Sequence, residues 1–184
     1  MRPTNRNALT TVFVLSHIAG LILLAPTQSL AQEKHKYSFS APPGASVYTQ
    51  QHAIDVGDVP GHQVRIFEIR AKYTNDAPVY AGVKVVEGWT RASSDLTNGS
   101  GRSSGYGISI FENGDKIFSR FETLVHTVVD ADGSRKSSYT TVTTLTGGTG
   151  KFSTIRGTLR GAGSTDFKIG LSGVKTEGEY WFEK

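Results

Sequence analysis

Two acidic residues lie in strand-like stretches where a carboxylate could serve as an acid or base. Glu87 belongs to the alternating set Val83, Val85, Glu87, Trp89 and Arg91, which share one face of an extended chain. If that face lines the interior, loss of water raises the carboxyl pKa and poises the group for proton transfer. A carboxylate paired with Arg91 near a rim is the alternative. Glu68 lies in Phe67-Glu68-Ile69-Arg70. Val64, Ile66, Glu68 and Arg70 share one face; Phe67, Ile69, Ala71 and Tyr73 share the other. The second face is the more apolar and reads as the interior, which leaves Glu68 and Arg70 outside as a solvated pair.

Other chemistries lack their residues. There is no cysteine, so no disulfide, thiolate nucleophile or cysteine-ligated metal. The five histidines, at 17, 35, 52, 62 and 126, have no ligand spacing, and no metal site is expected. Nor is a cofactor. The glycine-rich run Thr144–Gly163 has the look of a phosphate loop. However, Gly150-Lys151 is followed by Phe152 rather than Ser or Thr, Leu145 stands where a P-loop begins with glycine, and no helix pattern follows. No Gly-x-Ser-x-Gly elbow offers a serine nucleophile.

The elements that must position these residues are strands. Met1–Ala31 reads as a secretory signal peptide: Arg2 and Arg6 head an apolar stretch from Ala8 to Ala25, and Ser29 and Ala31 supply the small residues of a cleavage site. After cleavage no stable membrane anchor is expected, and the location is secreted or periplasmic. Gln32–Gly44 reads as an exposed arm, and 45–184 as one domain. Loss of Arg2 and Arg6 leaves 18 Lys and Arg against 16 Asp and Glu, about +2 in all. Gly133–Ser138 is the one small basic knot, which argues against a nucleic-acid partner.

The domain alternates with period two and has no useful helical pattern. Eight strands are predicted: Val47–Val56, His62–Tyr73, Val79–Asp95, Ser104–Glu112, Lys116–Val129, Arg135–Thr146, Ile155–Lys168 and Leu171–Phe182. Asn113-Gly114 and Asp132-Gly133 are type I′ hairpin signals. Leu96–Gly105 reads as a polar loop. Eight consecutive strands with short connections predict an all-β fold, an antiparallel up-and-down β-barrel of the calycin kind, since closure removes the edges of an open sheet; a β-sandwich is the alternative. Phe152 is expected to cap one end. Trp89, Tyr106, Tyr139 and Phe121 are expected to line the interior and bind a ligand.

The run Gly147–Phe152 with Ile155-Arg156-Gly157, and Gly105–Glu122, resemble the allene oxide cyclase barrel and the related dirigent proteins, including secreted bacterial members with no assigned activity. The resemblance implies an eight-stranded barrel with an apolar interior, a homo-oligomer as in plant members, and a cofactor-free cyclisation or stereoselective coupling. It makes Glu68 the candidate catalytic carboxylate and Pro78, ten residues on, a pocket-lip residue. Three functions are open: a secreted barrel that binds a small apolar molecule, a cyclase (an isomerase) that uses Glu68 or Glu87, or a barrel filled by its own aromatics that works through its outer face as an interaction module.

Overall fold

In a computed structural model, residues 32–42, 44–166 and 170–184 are described; the signal peptide expected at 1–31 lies outside them. Among the described residues ten strands form one antiparallel sheet. They are β1 His35–Ala41, β2 Ser46–Asp55, β3 His62–Lys72, β4 Val79–Tyr80, β5 Val83–Thr97, β6 Ser100–Phe111, β7 Lys116–Val129, β8 Arg135–Gly148, β9 Ile155–Asp166 and β10 Gly170–Phe182. The ladder runs β1-β10-β9-β8-β7-β6-β5-β3-β2, with β4 paired to β5. The all-β, barrel-like architecture matches the expectation. Backbone closure does not: β1 and β2 are the two ends of the hydrogen-bonded order.

Side chains instead carry β1 across to β4 and to Tyr73, just past β3. The segment expected to be an exposed arm is largely β1, paired with β10 from His35↔Tyr180 to Ala41↔Val174. Its alternate residues turn inward. Tyr37 stacks on Tyr80 of β4 with ring centroids 4.5 Å apart, and Phe39 meets Tyr73 edge-on at 5.7 Å. The strand read as Val79–Asp95 is broken by a turn at Ala81-Gly82, both with positive φ (47° and 82°). That conformation is uncommon for alanine. It is pinned here because Ala81 N donates to Tyr180 Oη at 2.8 Å and Lys151 Nζ donates to Ala81 O at 2.7 Å.

Three further turns differ from expectation. Leu96–Gly105 is not a loop. Asn98-Gly99, with φ of 51° and 82°, makes a two-residue turn, and β5 and β6 pair right up to it. At Asn113-Gly114 and Asp132-Gly133 only the glycine has positive φ. Gly114 N bonds Phe111 O and Gly133 N bonds Asp130 O, so each hairpin has a three-residue loop with glycine in the left-handed place.

The core fills one end only. Tyr37, Tyr80, Val85, Phe111, Ile117, Leu145, Phe152, Ile155, Leu159 and Tyr180 form a single buried cluster. Phe152, carried on the short 3-10 turn Gly150–Phe152, is the cap the glycine run predicts, fully buried and stacked on Phe111 at 4.1 Å. Glycine is required beneath it. A Cβ on Gly157 would lie 2.6 Å from Glu179 O and 2.9 Å from Tyr180 Cβ, so only glycine lets β9 approach β10 under the Tyr180 ring. Burial pushes the Tyr37 phenol up to about 12, so it stays neutral in this plug. Phe152→Ala should cost roughly 3–5 kcal/mol in urea unfolding. A loss within about 0.5 kcal/mol, the size of a surface substitution, would mean that the ring does not hold this end.

Candidate functional site

Strand alternation above the plug sets the site. The odd residues of β3, β7 and β8 point inward. They line an open cavity of about 1110 Å³ that includes Phe67, Ile69, Phe121, Val125 and Tyr139. The apolar face Phe67, Ile69, Ala71 is therefore the inner one, as its composition indicates. Tyr48 of β2 adds a ring edge-on to Phe67 at 5.6 Å. Room exists because the facing strands carry small residues. Gly105 lies opposite Phe121 across β6–β7. Gly163 of β9 lies under Tyr139, whose hydroxyl would be 2.6 Å from an added Cβ. Burial raises the Tyr139 phenol, so it enters the cavity as a neutral donor and acceptor.

The cavity has a polarity gradient. Toward the turns at Gly61 and Asn98-Gly99 its wall holds Gln63, Arg65 and Arg135. Arg65 Nε donates to Ser94 Oγ at 3.3 Å, and Arg135 Nη2 donates to Asn98 O at 3.0 Å. Among the described residues lining it there is no aspartate or glutamate.

Of the residues singled out from sequence, the structure brings Phe121 and Tyr139 together in this cavity. The others lie elsewhere. Tyr106 is 71% exposed on the outer wall, paired with Arg91 and Arg120 rather than turned inward. Pro78 is not at a cavity lip. It is buried beside β4 at the filled end, where its carbonyl accepts Val85 N at 2.9 Å. Glu87 and Trp89 stand outside because of one extra residue. Val85 pairs with Phe111 but Glu87 pairs with Ile110, so Val86 is a bulge that reverses the phase of β5. Val85 points into the plug, while Glu87, Trp89 and Arg91 point out.

Glu68 is also on the outer wall, yet it is only 8% exposed. It sits under a lattice of donors from three strands. Oε1 accepts Thr49 Oγ1 at 2.7 Å and Arg70 Nε at 2.8 Å; Oε2 accepts Arg91 Nε at 2.8 Å and Arg70 Nη2 at 3.4 Å. Arg70 also reaches Glu87 at 3.4 Å, and its guanidinium lies 3.8 Å from the Trp89 ring centroid, with Arg91 at 4.9 Å. The Arg70 hydrogen bond, then that of Thr49, holds the Glu68 carboxyl down at about 2. Such a group is a permanent anion with its lone pairs engaged. It suits a staple across β2, β3 and β5 and makes a weak base.

No family model matches the chain, and none of the curated proteins matches it. Among solved structures the chain is similar to two pterocarpan synthase dirigent proteins. PsPTS1 is 15% identical, with 83% of this chain and 97% of that one covered, at a TM-score of 0.44. GePTS1 is also 15% identical, with 85% and 89% covered, at a TM-score of 0.43.

A carboxyl whose pKa falls on folding stabilises the fold fully above its ordinary value of 4.5, and that contribution is lost as the pH drops through about 2. The difference in melting temperature between the native protein and Glu68→Gln should therefore narrow as the pH is lowered from 4.5 toward 2. A difference that stays constant over that range contradicts the staple.

Proposed function

We propose that this is a secreted or periplasmic barrel-like protein that holds one small, largely apolar molecule in its open half. The supporting observation is the cavity of about 1110 Å³, walled by Phe67, Ile69, Phe121, Val125 and Tyr139. Its mainly apolar wall suits a small organic ligand, and its volume lies just above the roughly 300–1,000 Å³ usual for such sites. The Arg65 guanidinium in the wall, whose Nε donates to Ser94 Oγ at 3.3 Å, favours a ligand with an anionic end toward the mouth. The apolar body then lies against the aromatic wall below. Secretion rests on the n-region, apolar stretch and cleavage site of residues 1–31.

The cyclase alternative draws no support from either acid. Glu68 and Glu87 stand on the outer wall, across the sheet from a cavity-bound molecule, and Glu68 is held by four contacts.

Calorimetric titration with decanoic acid and with decanol tests the reading. One molecule should bind per chain, the acid more tightly. Thr123→Trp, which fills the cavity, should abolish binding of both. Arg65→Gln should erase the preference for the acid, and Tyr106→Ala, on the outer wall, should leave binding unchanged. Undiminished binding to Thr123→Trp, or loss in Tyr106→Ala alone, would place the ligand elsewhere.

A further inference from the structure

β2 is the free wall of the cavity. It contributes Val47, Tyr48 and Gln51 to the lining, is exposed along all but its first residue, and is hydrogen-bonded to a strand on one side only, β3. Its turn into β3, Val56–Gly61, rises beside the mouth, where Gly61 O accepts Asn98 N at 2.9 Å. Beside that contact lies His62, whose ring is bonded at both nitrogens. Nδ1 is 2.7 Å from Asp58 Oδ1 in the turn, and Nε2 is 2.8 Å from Asp95 Oδ1 on β5. A neutral imidazole has one donor nitrogen and one acceptor nitrogen, and a carboxylate only accepts. Both contacts therefore need the imidazolium. If the proton leaves, one nitrogen lone pair faces a carboxylate oxygen at hydrogen-bond distance.

We infer that His62 is a proton-operated latch on the β2–β3 hairpin, closed while the imidazolium ties the turn to β5 and loosened when the proton is lost. The consequence for the cavity rests on the ligand reading above; the latch itself does not. The charged groups around His62 are Asp58 on its own turn and Asp95 on β5. Arg102 of β6 lies opposite Asp95 in the ladder, and Asp55 of β2 accepts Gln63 Nε2 at 2.8 Å. The Asp95 and Asp58 contacts raise the His62 pKa above its ordinary 6.5. A group whose pKa rises on folding contributes fully below its ordinary value and loses that contribution as the pH climbs through the raised one. The hairpin is thus held in mildly acidic solution and released on the alkaline side.

Two readouts test this. Imidazole NMR resonances give the His62 titration, and amide hydrogen exchange, corrected for intrinsic pH dependence, reports hairpin opening. Protection across Ser46–Asp55 should fall several-fold with the His62 midpoint, and His62→Gln should be equally loose at every pH. Asp95→Asn should move the midpoint to lower pH without unfolding the sheet. The dissociation rate of the neutral fluorophore N-phenyl-1-naphthylamine should rise through the same midpoint. Protection that does not change through the His62 titration, or a pH dependence that survives in His62→Gln, overturns the latch. If the fluorophore fails to bind at any pH while protection still follows His62, the latch stands and the ligand reading falls.

Discussion

Tyr180 of β10 lies where β1 meets β4. Its ring stacks on His35 of β1 at 5.0 Å and tilts against Tyr80 of β4 at 5.3 Å, and its hydroxyl accepts the amide of Ala81. No backbone ladder joins β1 to β2, so what a closed barrel does with hydrogen bonds is done at this end by aromatic packing. Aromatic pairs of this kind contribute about 0.5–1.5 kcal/mol each beyond the area they bury. The other features follow from where the plug is. The fully buried large side chains are concentrated in it, above it Phe67, Phe121 and Tyr139 share the inner face with glycines and hydroxyl residues, and the cavity occupies the half that is left unfilled.

The outer wall near β3 holds a different kind of order. A carboxylate as shielded as Glu68 must be paired, or folding carries the desolvation of a lone charge. Thr49, Arg70 and Arg91 supply the partners from three neighbouring strands. Arg70 and Arg91 in turn pack on the Trp89 ring. β2, an edge strand with no lysine or proline to guard it, is thereby tied to the sheet by side chains along its middle and by the His62 contacts at its turn. The cluster that looks most like an active site in the sequence also ties the cavity's free wall to its neighbours.

Much of this was legible in the order of residue types. Period-two alternation is enough to put Phe67, Ile69, Phe121 and Val125 on the inner face, and it puts Glu68 on the outer one. It fails where the ladder slips. A single bulge at Val86 leaves the composition of β5 unchanged but moves Glu87 and Trp89 across the sheet, and no count along one strand detects that. β1 escaped for another reason. Its partner β10 lies 145 residues away in the chain, as His35↔Tyr180 shows (180 − 35), so the short alternation of Tyr37 and Phe39 with polar residues has no local partner to mark it out from an arm. The roles of Arg65 and His62 depend on neighbours from β5 and on which half of the sheet is left unfilled, which sequence spacing does not encode.

A ligand held in the cavity lies on the opposite face of the sheet from Glu68 and Glu87. Intermolecular nuclear Overhauser effects between bound decanoic acid and the aromatic protons of the protein test that placement. Contacts are expected from the acyl chain to Phe67, Phe121 and Tyr139 and none to Trp89 or Tyr106. Contacts to Trp89 or Tyr106 instead would put the ligand on the outer wall and contradict it.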